Sequence, residues 1–228
     1  MPLLWPLHLS RLQHTAARLA ITIPDWEQLT HDVIVAAKSA NGVSVLKVQV
    51  SRGEGGRGYS PLGVSAANVV ISHSALPDYR HLQQHGVKLA QAQLQLSVQP
   101  LLAGLKHCNR LEQVLLKQEA LKRGIDDLLV CDHQGFVTET IAANLFLHRA
   151  GRWYTPELSR AGVAGVMRSH VLQQHTAIPE VNWQLPELAE VDAMVISNAL
   201  MGLVPVHSYN NQTLNLALAK DWCDELTC

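Results

Sequence analysis

The stretch from Leu128 to Tyr154 limits most sharply what this chain can fold into. Leu128–Cys131 is a short apolar run, Asp132-His133-Gln134-Gly135 is a turn sequence, and Phe136–Thr140 reads as the partner strand. Asn144–His148 and Trp153-Tyr154 repeat that arrangement around Ala150-Gly151. Helical spacing surrounds these strands. Asn109–Lys122 has Glu112 and Gln113 near its start and Gly124 as a stop, and helical patterns cover 164–175 and about 213–226, with a strand over 192–197 between them. Short strands interleaved with helices predict an α/β unit for the second half of the chain.

The first hundred residues read as a smaller α+β unit. Leu7, Leu9, Leu12, Ala16 and Leu19 follow helical spacing over 7–20. Ile23-Pro24-Asp25 opens a second helix, about 25–40, closed by Asn41-Gly42. Val43–Ser51 and Asn68–Ser72 read as strands, and Val87–Val98, apolar residues alternating with Gln, reads as one long strand. The boundary is expected near 98–103, giving a small domain over 1–99 and a larger one over 100–228.

Composition removes several function classes. The chain has 228 residues, 47% of them hydrophobic and 16% charged, which supports a sizeable core and excludes a disordered chain. Lys plus Arg is 18 against 19 Asp plus Glu, so there is no electrostatic case for nucleic acid or an anionic membrane as partner. No run approaches the about 20 apolar residues of a membrane span, and the apolar N-terminus lacks a basic start and a small-residue cleavage site. Cys108, Cys131, Cys223 and Cys228 are too scattered for a disulfide framework or a metal knuckle, so no metal is expected and a reducing, cytoplasmic setting is.

Four places could carry chemistry. Lys106, between an apolar segment and a helix start, reads either as a desolvated amine nucleophilic toward carbonyls or as a solvated lysine. Glu139 lies in an apolar run and reads either as a buried carboxylate needing a partner or as a strand-end residue facing water. The glycine-rich loop 53–58 lacks the Lys-Ser/Thr of a P-loop and precedes a strand, so it reads as a hairpin presenting Arg57 and Tyr59, or as a flexible surface loop. Ala161–Arg168 places glycines before a helix whose first N–H groups suit an anion, and Ser197-Asn198-Ala199-Leu200 ends a buried strand; both also read as ordinary loops.

In order along the chain stand His8-Leu9-Ser10-Arg11-Leu12, Ser51–Ser60, Leu102-Ala103-Gly104-Leu105-Lys106-His107-Cys108-Asn109-Arg110-Leu111-Glu112-Gln113, Thr138-Glu139 through Phe146, Ala161–Arg168, and Ser197–Met201 with Val204-Pro205-Val206. This series resembles the fold-type IV enzymes that use pyridoxal 5′-phosphate (PLP), the D-amino-acid aminotransferase-like class. The Lys106 run and the Asn198-Ala199-Leu200-Met201 run are similar to the lyase branch of that class.

The resemblance implies a role for each residue. Lys106 matches the lysine that carries PLP covalently and moves protons. Glu139 matches the carboxylate on the pyridine nitrogen, and Arg11 the phosphate clamp. The N–H groups of Val166 and Met167 match the phosphate cup, with Asn198, Ala199 and Leu200 also at the cofactor. Arg57, Tyr59, His107 and Asn109 match substrate-side positions. The implied reaction converts 4-amino-4-deoxychorismate to 4-aminobenzoate and pyruvate, for folate synthesis, in a cytoplasmic homodimer. A D- or branched-chain amino-acid aminotransferase on the same fold, or a truncated inactive paralogue, are the alternatives. Fold-type IV enzymes carry further strands before the His8–Leu12 helix, so the chain is expected to be short at its N-terminus, with a bare sheet edge there.

Overall fold

The computed structural model describes residues 1–39, 42, 44–64 and 66–226. Asn41, Val43 and Cys228, which the sequence reading used, lie outside the described residues. The chain divides into two compact units, Met1–Pro77 and Asp78–Cys228.

In the first unit, α1 (Trp5–Arg18) and α2 (Trp26–Ser39) precede an antiparallel pair, β1 (Ser44–Ser51) and β2 (Asn68–Ala75). The helices form where the periodicity predicts. Asp25 Oδ1 caps α2, accepting from the N–H groups of Glu27 at 2.9 Å and Gln28 at 2.8 Å. Arg52 closes the end of α1 by donating to the carbonyls of Leu19 and, at 2.6 Å, Ala20. Trp5, Ala16, Ile23, Leu29 and Val33 are the buried centre, with Leu46, Val48, Val50 and Ile71 of the strands packed on it. Ser51 pairs with Asn68, so β1 and β2 form a hairpin and loop 52–67 carries Arg57 and Tyr59.

The second unit holds a nine-stranded mixed sheet in the order β5-β4-β3-β10-β9-β6-β7-β8, with β11 paired to β10. Its strands are β3 (Val87–Gln91), β4 (Asp127–Cys131), β5 (Val137–Thr140), β6 (Asn144–Arg149), β7 (Arg152–Pro156), β8 (Glu180–Val181), β9 (Ala193–Asn198), β10 (Gly202–Tyr209) and β11 (Gln212–Thr213). The helices are α3 (Arg80–His85), α4 (Leu111–Arg123), α5 (Val166–Gln174) and α6 (Leu216–Leu226). β4, β6 and β9 are buried on both faces, which is why they read as near-continuous apolar runs. Leu145, Leu147, Met194 and Ile196 fill one face. Phe146 and Val195 fill the other with Val171 of α5 and Ala219 and Trp222 of α6.

Two expectations need correction, and one strand was not foreseen. The boundary falls after Pro77 and not near 98–103, because β3 is an inner strand of the large sheet, parallel to both β4 and β10. The long strand over 87–98 stops at Gln91. Beyond it the chain still runs beside β4, with Ala92 N–H on the Leu129 carbonyl and Leu96 N–H on that of Cys131, while the Gln93 N–H turns to the Glu119 carboxylate. The whole of β10 escaped the reading, since Gly202 and Pro205 look like breakers; it pairs with β9 and β3 all the same, with an irregularity between Val206 and Ser208.

Phe146 has no exposed surface and its ring meets Trp222 edge-on at 5.2 Å. Truncating it leaves a cavity under α5 and α6, so Phe146→Ala should lower stability by about 3–5 kcal/mol in denaturant unfolding. A cost near zero would show that these two helices do not depend on the sheet face beneath them.

Candidate active site

Segment Gly162–Gly165 joins the candidate residues of the second unit. Gly104, two residues before Lys106, exchanges backbone hydrogen bonds with it: Gly104 N–H donates to the Gly162 carbonyl and Ala164 N–H to that of Gly104, both at 3.0 Å. Val163 N–H donates to Glu139 Oε2 at 2.9 Å. Asn144 Nδ2 donates to the Val163 carbonyl at 2.8 Å, and its Oδ1 accepts the Gly165 N–H at 3.1 Å. Gly162 has φ +82°, and a Cβ there would lie 2.8 Å from Thr138 and 3.2 Å from Glu139 Oε2. Glycine is required on both grounds.

Glu139, on β5 opposite Val130, is 5% exposed, so the water-facing alternative is excluded. Burial pushes its carboxyl up to about 7 from the ordinary 4.5. The Val163 N–H and the charges of Arg110 and Lys106 work against that rise, and Asp127 adds to it. The site therefore holds a carboxylate short of positive partners. A bound group presenting a cationic N–H would supply the missing partner, so these residues fit a protonated pyridine ring.

Lys106 is exposed in an irregular segment between buried Leu105 and α4, as the solvated alternative has it, yet close enough to act on Glu139. Arg110 reaches back over this segment. Its Nε donates to the His107 carbonyl at 3.1 Å and its Nη2 to that of Leu105 at 3.0 Å. His107 and Asn109 line a cavity of about 260 Å³ together with Arg110, Gln113 and Gly162. His107 Nδ1 and Gln113 Oε1 are buried there without hydrogen-bond partners among the described residues. Burial and then the Arg110 charge push the His107 ring below its ordinary value, which favours its neutral form.

Val166 and Met167 form the first turn of α5 after Gly165, where N–H groups have no partner within the helix. In the β9–β10 turn, Asn198 Oδ1 accepts the N–H groups of Leu200 and Met201, each at 2.9 Å, and its Nδ2 donates to the Ala142 carbonyl at 3.2 Å. The Asn198 amide and the Leu200 N–H are thus engaged in holding the turn. Asn144 pairs with Ser197 across β6 and β9, which brings this turn and the start of α5 to the same end of the sheet.

Residues 1–209 match the family described as amino-transferase class IV. An aminodeoxychorismate lyase from Vibrio harveyi is 38% identical over 89% of this chain and 76% of its own length. The crystal structure of 4-amino-4-deoxychorismate lyase from Pseudomonas aeruginosa superposes with a TM-score of 0.90 at 36% identity, over 99% of this chain and 85% of that one. A Brucella abortus aminotransferase bound to PLP shares the fold, with a TM-score of 0.79 at 18% identity over 96% of this chain and 80% of its own. The chain belongs to the class IV aminotransferase family.

For this class IV chain, the predicted residues divide between the two units. Lys106, His107, Asn109, Glu139, Val166, Met167, Asn198, Ala199 and Leu200 belong to the second. Arg11, Arg57 and Tyr59 belong to the first: Arg11 is half-buried on α1 near His8, whose ring is lowered to about 4 by burial first and Arg11 second, while Arg57 and Tyr59 are exposed. Sequence reasoning missed Arg110 and Asn144 as site residues. Asn144 had a signal, a polar residue opening the apolar run 144–147. Arg110 stood inside the Lys106 run, but an arginine just before a helix looks the same whether or not its side chain turns back on the loop.

Since Glu139 is raised from 4.5 to about 7 in the fold, its contribution to stability is full below pH 4.5 and is lost as pH climbs through about 7. In the cofactor-free protein, stability relative to Glu139→Gln should therefore fall by about 3 kcal/mol across that window. Urea unfolding of both proteins across the range measures it. A difference independent of pH would mean that Glu139 titrates as an ordinary carboxylate.

Proposed function

We propose that this chain is a PLP-dependent lyase that converts 4-amino-4-deoxychorismate to 4-aminobenzoate and pyruvate, serving folate synthesis. The observation that carries the reading is the buried Glu139, held by Val163 and facing the charges of Lys106 and Arg110, in a chain 38% identical to a lyase of that name. When bound, PLP supplies an electron sink for the pair left on the substrate as a proton departs.

The protein's own residues supply the rest. Lys106 would hold PLP covalently, take the proton that leaves the substrate ring, and give a proton to the enolpyruvyl group as its C–O bond to the ring breaks, so that the ring becomes aromatic and pyruvate departs. Glu139 would keep the pyridine nitrogen protonated, and with a cationic partner there its carboxyl would return toward the ionised form. The N–H groups of Val166 and Met167 receive the phosphate, with the Ala199 backbone beside them, and Asn198 and Leu200 shape the turn that presents Ala199. His107 and Asn109 border the cavity beside the site. Arg11 serves as a phosphate clamp, and Arg57 and Tyr59 bind substrate carboxylates, since a guanidinium fork matches a carboxylate.

A homodimer belongs to the same reading. Leu111, Val114, Leu115 and Leu121 are exposed along α4, and a helix with such a stripe has apolar surface for a second copy to cover. The reading places the enzyme in the cytoplasm, where Cys131 and Cys223 remain thiols. No helix among the described residues is long and apolar enough to cross a membrane.

Borohydride reduction followed by peptide mass analysis should find the PLP adduct on Lys106 and lose it in Lys106→Ala. An adduct on Lys47 or Lys117 would assign the anchor elsewhere. Pyruvate release from 4-amino-4-deoxychorismate without any keto-acid acceptor separates the lyase from an aminotransferase, which stalls after one half-reaction.

Glu139→Gln keeps the side chain's size and removes its charge. Turnover should fall about 10-fold or more, from a lost charge-assisted hydrogen bond of ~1.5–3 kcal/mol. Unchanged turnover at saturating PLP would take Glu139 out of the mechanism.

A further inference from the structure

The segment that carries Lys106 has no regular secondary structure of its own. Upstream it is tied at Gly104 to residues 162–164, and downstream it ends where α4 begins at Leu111. Between those points lie Leu105, Lys106 and His107, and the carbonyls of Leu105 and His107 both accept from the one guanidinium of Arg110, at 3.0 and 3.1 Å. We propose that Arg110 is the positioning residue of this site: by gripping the carbonyls on either side of Lys106 it fixes the backbone from which the amine projects, and it sets a permanent cation toward Glu139. The proposal rests on Lys106 being the cofactor-bearing lysine.

The chemistry suits arginine and no other side chain. Nε and Nη2 lie on one edge of a rigid plane and can reach two carbonyls two residues apart, whereas a lysine ammonium is a single point on a flexible stem. The charge matters as well as the grip. The charged groups acting on Glu139 are Arg110 and Lys106, which favour the carboxylate, and Asp127, which opposes it. An amine engaged with a carbonyl group no longer carries an assured ammonium charge, so Arg110 is the cation that persists through the reaction. Burial presses the Arg110 pKa down, and Glu139 and then Glu112 oppose that, so the ion is held where it is by the carboxylate it serves. Neither grip nor charge touches the reacting atoms, so Arg110 acts through Lys106 and Glu139.

Two variants separate grip from charge, and two readouts separate this proposal from the function it rests on. Infrared titration of the cofactor-free protein, with Glu139→Gln as the difference reference, reads the Glu139 carboxylate. The rate of forming the borohydride-trapped PLP adduct reads the presentation of Lys106. Arg110→Gln should move the Glu139 midpoint up by about one pH unit and slow adduct formation about tenfold. Arg110→Lys keeps the charge and loses the fork, so its midpoint should stay near that of the parent while adduct formation remains slow. Should Arg110→Gln not fold, Arg110→Lys decides: adduct formation at the parental rate overturns the proposal. An Arg110→Gln protein that loses thermal stability but keeps both the midpoint and the adduct rate also overturns it, leaving Arg110 a structural tie. If the parent protein itself forms no adduct on Lys106, the functional reading fails, and with it the grip on the cofactor lysine, while the infrared midpoint still reports on the charge.

Discussion

Glu139 Oε2 and the Val163 N–H make the contact on which the candidate site depends, because it joins a buried charge to the segment that touches everything else. A carboxylate that deep is costly without hydrogen bonds and counter-charge. Val163 supplies the hydrogen bond. The same four residues, 162–165, take up Gly104 from the Lys106 loop and Asn144 from β6, then turn into α5. Moving any one of these elements moves the N–H that donates to the carboxylate.

The large sheet makes that arrangement possible. β4, β6 and β9 are packed on both faces, so the residues at their ends are held by a rigid core and have little freedom of their own. Glu139 and Asn144 flank the short β5–β6 connection, and Asn198 sits where β9 turns into β10. Each spends its polar atoms on backbone groups of a neighbouring segment: Glu139 on Val163, Asn144 on Val163 and Gly165, Asn198 on Ala142, Leu200 and Met201. Irregular chain at the edge of the core is thereby given the precision of the core.

The electrostatics follow the same logic. In the chain by itself, Glu139 is left with its pKa near neutrality, which is an unstable balance between burial and two nearby cations. Such a group gains most from a cationic partner, and a site with a surplus of negative charge at one point and helix N–H groups at another matches a ligand carrying a protonated ring nitrogen and a phosphate. His107, pushed toward its neutral form beside Arg110, keeps a further positive charge away from that balance.

Much of this was legible in the amino-acid sequence. The spacing of Leu9, Leu12 and Ala16 and the cap at Asp25 are local causes, and α1 and α2 form where they point. The turn residues at 132–135 and 150–151 likewise place β4 to β7, because hairpins are decided by neighbours in the chain. The run from Gly104 to Gln113 and the one from Asn198 to Met201 carried the candidate residues. What only the tertiary structure decided are the long-range matters. β3 joins the large sheet because β4 and β10 lie on either side of it, and β10 forms across Gly202 and Pro205 because β9 and β3 supply its partners. Glu139 is buried because the 162–165 segment closes over it, and Arg110 is bound to the Lys106 loop because α4 starts where its side chain can reach back. Local sequence sets the preference of each segment for helix, strand or turn, whereas burial and partnership depend on residues far away in the chain, and only the closed core brings those together.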